Sequence, residues 1–178
     1  MANSNPFNAR KTLIVGDINT GKTARTLAIL RRYLKAGWGS HITVIDLAPD
    51  PLDGVGGKMR VPDTEGLQYL TGPIVPPRLT AADADQAWAL ARANACTIAD
   101  LFARFHTHPT RILFVNDASL YLQAGHMASL KAVLLKAETV VVNAYYGNSF
   151  PDSALTRREK RMVNELIAFC DRIIDTSK

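Results

Sequence analysis

The chain has 178 residues, 47% of them hydrophobic, and its 21 Lys plus Arg against 16 Asp plus Glu give a formal charge of +5. That length and apolar content suit one well-cored domain and are short for two, so a single domain over residues 1–178 is expected. Cys96 and Cys170 stand far apart in helical patterns, which argues against a disulfide framework, and no segment approaches the roughly 20 apolar residues of a membrane span. The basic excess suits a nucleotide, a nucleic acid or another acidic partner, and equally an ordinary soluble surface, because no long basic run occurs. The opening "MANSNPFNARK" lacks the apolar core of a signal peptide, so a cytoplasmic protein is expected.

In chain order, "KTLIV" (11–15) is a short β-branched run that ends at Gly16 and reads as a buried strand. From Lys22 to Ala36, Leu27, Leu30 and Leu34 recur at helical spacing, and Gly37 supplies the stop. "HITVIDL" (41–47) is a second strand. Residues 48–79 hold many prolines and glycines and no sustained period, which predicts a long loop of functional or mobile character. Thr80 with Asp83 predicts the cap of a helix whose inner face is Trp88, Ala91, Ala95, Ile98, Phe102 and Phe105. "RILFVND" (111–117) is a third strand ending in an acid, and Met127, Leu130, Leu134 and Ala137 form another helical stripe. "TVVVN" (139–143) is a fourth strand, Thr156 with Glu159 predicts a capping box for the last helix, and "RIIDT" (172–176) closes as a fifth strand. Strands alternating with helices predict an α/β fold: a three-layer α/β/α sandwich with a mainly parallel sheet of about five strands.

One stretch carries specific chemistry. In "LIVGDINTGKT", Gly16, Gly21, Lys22 and Thr23 fit G-x-x-x-x-G-K-[ST], the Walker A pattern, between a strand and a helix. A strand feeding a glycine-rich turn that opens a helix aims backbone N–H groups and the helix's positive end at one point, which suits a polyphosphate. Gly16 and Gly21 admit the phosphate oxygens, Lys22 reaches the β- and γ-phosphates, and the Thr23 hydroxyl ligates Mg²⁺. Asp17, Asn19, Thr20 and Ala24 complete the expected nucleotide contacts.

These residues resemble the P-loop NTPase superfamily, and the βα alternation extends the resemblance over the whole chain. The resemblance implies nucleoside triphosphate binding, ATP first, with Mg²⁺ as cofactor. It also assigns Asp117, at the end of "ILFVND", the Walker B role at the metal, with Asn116 orienting water beside it. Ala118 follows where the Asp-Glu branches carry a catalytic glutamate, which speaks against a motor. Asp46, ending "ITVID", is expected near the γ-phosphate, orienting water or taking a proton from a substrate hydroxyl, or else is a plain strand-end acid. "VIDLAPDP" is loosely similar to the DxDP stretch of MinD/ParA-type ATPases and of RNA 5′-hydroxyl kinases. Asp17, Ile18 and Asn19 depart from the first group's lysine and glycines, whereas kinases of the second often carry Asp or Asn at the position of Asn19. At the base end, Asn143 matches the first residue of the guanine-reading N-K-x-D, but Ala144 and Tyr146 replace its lysine and aspartate, which favours ATP. Tyr145 or Tyr146 would then stack on the base or pack the strand end.

Three functions share this pocket: an NTPase whose nucleotide controls a partner through 48–79 and 118–125, a kinase, and a non-hydrolysing nucleotide-binding regulator. In the kinase reading, Lys58, Arg60 or Arg78 supplies the loop cation, and the acceptor is a small molecule or a nucleic-acid hydroxyl. His106 and His108 form an H-x-H pair without a third ligand nearby in the sequence, and "TRREKR" (156–161) makes a basic helix start.

Overall fold

The computed structural model describes residues 10–62 and 66–177. The expectation about the N-terminal segment 1–9, and residues 63–65 of the expected loop, lie outside the described residues. Six strands form one parallel sheet: β1 (Lys11–Gly16), β2 (Ile42–Asp46), β3 (Gln68–Thr71), β4 (Ile112–Asn116), β5 (Thr139–Tyr145) and β6 (Arg172–Asp175). Their order across the sheet is β3-β2-β4-β5-β1-β6. The helices are α1 (Lys22–Lys35), α2 (Pro77–Thr80), α3 (Ala84–Thr107), α4 (Ser119–Leu122), α5 (Met127–Leu134) and α6 (Ala154–Phe169). The fold is an α/β sandwich with helices on both faces of the sheet.

Which face each helix covers follows from the strand order. From β1 the chain steps across β5 and β4 to β2 and then outward to β3; from β3 every later step runs back the other way. Right-handed crossovers that travel in opposite directions pass over opposite faces. Accordingly α1 covers one face, where Leu30, Tyr33 and Trp38 meet Ile14, Val44, Phe114 and Val141. Helices α3 to α6 cover the other, where Ile98, Phe105, Leu130 and Val163 meet Leu13, Val15, Leu113, Val115 and Val142. Neighbours such as Leu13 and Ile14 part to opposite faces because strand side chains alternate. Both faces are buried, so the strands read as unbroken apolar runs.

Two expectations need revision. The sheet has six strands, one more than the sequence suggested, because Gln68–Thr71 joins β2 as an edge strand inside the stretch expected to be an irregular loop. Four residues with one buried side chain, Leu70, give too little period to recognise. The last helix starts at Ala154 with Ser153 as its cap, the Ser153 hydroxyl accepting the Thr156 N–H at 3.1 Å. Glu159 is therefore not the partner in a capping box; it is buried and turned inward. The helix after the proline-rich stretch is capped by Asp83, whose carboxylate accepts the Gln86 N–H at 2.8 Å.

Candidate phosphate-binding site

The carboxyl ends of the strands point to one edge of the sheet, the usual place for a ligand in an open α/β fold. Between β1 and α1 the loop runs through Asn19 at φ 56° and Gly21 at φ 85°, both in the left-handed region. Asparagine and glycine are the residues that tolerate this backbone. Gly16 is required for a different reason: a Cβ there would lie 2.3 Å from the Thr176 hydroxyl oxygen and 2.5 Å from that of Thr20. The loop is tied to its neighbours. Thr20 donates to the Asp17 carbonyl at 2.9 Å and shares a hydrogen bond with Thr176, and the Asp17 N–H donates to the Ser177 hydroxyl. The Asp17 carboxylate accepts the N–H groups of Ile18 at 2.7 Å and Asn148 at 3.0 Å. Burial raises the pKa of Asp17, but hydrogen bonds from Ser149, Asn148 and Ile18 and the charge of Lys22 hold it below the usual range.

The amides that follow are unspent. Among the described residues, the N–H groups from Asn19 to Ala24 donate to no protein partner, while the Arg25 N–H is the first taken up by the helix, on Gly21. The first turn of α1 thus faces outward with orphan donors and its positive dipole end. The Lys22 ammonium donates back to the Asp17 carbonyl and lies 5.9 Å from the Tyr145 ring centre. Desolvation lowers the Lys22 pKa, against the opposing pull of Asp117 and Asp17.

Behind the loop lies a buried polar network. Asn116, with no exposed surface, donates to Asp46 at 2.8 Å and accepts from Asn143 at 2.7 Å and from the Thr23 hydroxyl at 3.3 Å. Asn143 also donates to the Thr26 hydroxyl at 2.8 Å and accepts the Asp117 N–H at 2.8 Å. Asp117 sits at φ 57° at the end of β4, half-buried and facing the cavity, with Ser119 donating to its carboxylate. Burial pushes its pKa up; Ser119, Lys22 and Arg78 pull the other way.

A cavity of about 900 Å³ opens over this edge. One wall is α1, through Ala24, Leu27 and Arg31; another is 48–60; a third is Arg78, Leu120, Gln123 and Phe150. Arg78 is ion-paired to Glu159 at 2.8 Å, with side chains 12% and 2% exposed, and its guanidinium lies 3.9 Å from the Phe150 ring centre. Burial pushes the Glu159 carboxyl up to about 7, opposed by the charge of Arg78 and by hydrogen bonds from Gln123 and Arg78.

The structure brings Gly16, Asp17, Asn19, Thr20, Gly21, Lys22, Thr23, Ala24 and Asp117 to one edge of the sheet. Three other expected residues, Asp46, Asn143 and Tyr145, have protein partners of their own. Asp46 is fully buried and outside the cavity lining; its carboxylate accepts from Ala48 N–H at 3.1 Å, Met59 N–H at 2.5 Å, Tyr69 hydroxyl at 2.7 Å and Asn116. It anchors the 48–59 wall, where the sequence left open a role at the γ-phosphate or that of a plain strand-end acid. Asn143 reaches the floor of the cavity with its side-chain amide occupied by Thr26, Asn116 and the Asp117 N–H. Tyr145 lies beside Lys22 and Arg78, its ring 5.1 Å from Phe150, and Tyr146 donates to Asn164. Of the three candidate cations, Lys58 is spent on Ala48, Thr71 and Gly72, Arg60 is exposed at the cavity rim, and Arg78 is half-buried in the wall. The 118–125 segment, considered as a partner surface, is buried except for half-buried Ala124, with Tyr121 edge-on to Phe102. Sequence reasoning missed Gln123, Phe150 and Arg31. Only Arg31 left a signal, standing four residues after Leu27 on the same helical stripe.

Among the described residues no group of three or more His, Cys, Asp or Glu could hold a metal ion, and no helix is long and apolar enough to cross a membrane. No protein-family model and no curated protein matches this chain. Solved structures similar to it include the flagellar accessory protein FlaH from Methanocaldococcus jannaschii, at 12% identity and a TM-score of 0.47, covering 85% of this chain and 67% of that one. Another is the Pif1 helicase from Candida albicans, at 12% identity and a TM-score of 0.43, covering 96% of this chain. The chain spans about a third of that helicase, 36% of its length.

Two outcomes follow from this geometry. Asp46→Ala strips partners from two backbone amides, the Asn116 side-chain amide and a phenol, each worth roughly 1–3 kcal/mol when left buried and unpaired. It is expected to lower stability in denaturant titration and to speed proteolysis within 48–60; an unchanged stability would return Asp46 to a purely catalytic role. Glu159 has a folded pKa above its unfolded value of 4.5, so its contribution to stability is full below pH 4.5 and is lost as pH rises toward about 7. The melting temperature should therefore fall between pH 5 and 8 more steeply in the native chain than in Glu159→Gln, as scanning calorimetry at each pH would show.

Proposed function

We propose that this protein is a P-loop NTPase that binds a nucleoside triphosphate, ATP foremost, with Mg²⁺ and hydrolyses it. The observation that carries this reading is the row of unspent N–H groups from Asn19 to Ala24 beside the Lys22 ammonium. A triphosphate tail supplies acceptors for these donors and a charge for the ammonium, which would leave the Asp17 carbonyl. Thr23 and Asp117 are the residues that would hold Mg²⁺, a cation normally bound by one or two protein oxygens with phosphate and water completing the shell. Bound there, Mg²⁺ neutralises charge on the transferring phosphoryl group. The chain's own part is positioning: the loop fixes the phosphates, Asp117 is aimed by the Asn143 amide, and Arg78 is held in the wall by Glu159 and Phe150. Asp46 is occupied by its four donors, so catalysis would rest on positioning and charge neutralisation.

The cavity volume favours a second reading, transfer of the γ-phosphoryl group to an acceptor. About 900 Å³ is at the upper end of the roughly 300–1,000 Å³ of small-molecule sites and extends on both sides of the loop. A regulator that binds without turnover would use the same loop, and phosphate release distinguishes it.

The test is a thermal-shift panel of ATP, GTP, ADP and AMP with and without Mg²⁺, paired with phosphate release. A nucleotide at a hundredfold excess over its Kd stabilises the native state by about 2.7 kcal/mol. Lys22→Ala is expected to lose that shift and any turnover while keeping the native circular dichroism spectrum. Absence of a shift with every nucleotide in the native chain would overturn the proposal. Asp117→Asn is expected to retain nucleotide binding but to need about tenfold or more Mg²⁺ for half-maximal stabilisation; an unaltered Mg²⁺ titration would remove Asp117 from the metal site.

A further inference from the structure

The positive charge of this chain is concentrated in one element. Helix α1 carries Lys22, Arg25, Arg31, Arg32 and Lys35 and no acid, and those five cations equal the whole formal charge of +5, so the remainder of the chain is balanced. No basic run marks them in the sequence because they are spread at helical intervals. At 3.6 residues per turn Arg25, Arg31, Arg32 and Lys35 fall within one arc of about 120°, which Ala24 and Ala28 complete. All of these are exposed, whereas Thr26, Leu30 and Tyr33 take the opposite side against the sheet. Arg25, Arg31 and Lys35 enter no ion pair among the described residues. The helix dipole accounts for Arg32 and Lys35 in the last turn, but Arg25 near the N-terminus opposes it. On the facing wall of the cavity, exposed Arg60 and Asp50 offset each other and leave the excess on the helix.

The chemistry of this face selects its partner. Alanine is the only apolar residue type in the arc, so no large side chain is present to enter a lipid surface or to anchor a protein interface. No aromatic ring stands among the cations to stack on an unpaired base, and no asparagine or glutamine to read a base edge. What remains is charge, mostly on guanidinium groups, whose planar fork matches phosphate oxygens. We propose that the exposed face of α1 binds the phosphate backbone of a nucleic-acid duplex without reading its sequence. From Arg25 to Lys35 the face runs about 15 Å along the helix axis. Duplex DNA carries one charge per roughly 1.7 Å, so several phosphates come within reach at once. The inference stands apart from the nucleotide reading, because none of the four exposed cations belongs to the phosphate loop.

The experiment is fluorescence anisotropy of a labelled DNA duplex of about 20 base pairs with the full chain, without nucleotide or Mg²⁺, between about 50 and 200 mM salt. Four phosphate contacts are expected to give a slope of log K against log salt of about −3.6. Replacing three cations together, Arg25→Gln with Arg32→Gln and Lys35→Gln, should weaken binding about tenfold or more at low salt and make the slope shallower by about 2 to 3. Arg25→Gln alone should make it shallower by about 0.9. A control, Arg92→Gln with Arg104→Gln and Arg161→Gln, removes the same charge from exposed positions of α3 and α6 and should change binding by less than about threefold, because charges on the far face are screened. Glutamine is close to arginine and lysine in helix propensity, so both triple variants should keep the native circular dichroism spectrum. No binding of the duplex, or equal losses in the two triple variants, would overturn the proposal. So would equally tight binding of poly-glutamate or of phosphatidylserine vesicles. Each of these results leaves the phosphate loop and its nucleotide test untouched.

Discussion

At the end of β4 an asparagine, not an acid, occupies the buried position beside Asp46, and the site is arranged around that choice. Asn116 faces a carboxylate on one side and an amide and a hydroxyl on the other, so it must donate and accept at once. A carboxylate there would set a second buried negative charge against Asp46, with nothing to donate across the gap. The amide satisfies both neighbours and links β2, β4, β5 and the first turn of α1 in one network. Buried polar groups of this kind are costly when half satisfied and strongly orienting when complete.

The acid follows one residue later, and this displacement sets the floor of the cavity. Asp117 leaves the strand through a left-handed backbone conformation, held there by its N–H on Asn143 and its carboxylate on Ser119. Non-glycine residues in that region are strained and persist where their surroundings over-determine them. The carboxylate consequently faces the loop lysine in place of the sheet interior. On the neighbouring strand Asp46 does the opposite, turning inward to hold the Ala48 and Met59 amides. One strand-end acid builds the wall and the other faces the ligand space.

The proline- and glycine-rich connection after β2 becomes an ordered wall by the same means. Lys58 crosses back to the Ala48 carbonyl, to Thr71 at the end of the edge strand and to Gly72 just past it, and the Leu52–Val55 pair closes a small turn between Ala48 and Lys58. Across the cavity Arg78 is clamped between a carboxylate and an aromatic face. These wall groups are thus held in place by the protein's own contacts, an arrangement that reduces the ordering cost of binding.

The strand and helix pattern and the glycine-bearing loop between β1 and α1 were legible in the sequence because each is a local property. Apolar runs, helical stripes and the spacing of Gly16, Gly21, Lys22 and Thr23 depend on residues within a few positions of one another. The short edge strand was not legible, because four residues acquire strand geometry only from the ladder that β2 offers them. The roles of Asp46, Asn116, Asn143, Gln123 and Glu159 were decided by tertiary structure alone. Whether a polar side chain faces a ligand or closes a buried hydrogen bond depends on which distant groups arrive beside it, and those partners lie from tens of residues to more than a hundred away along the chain.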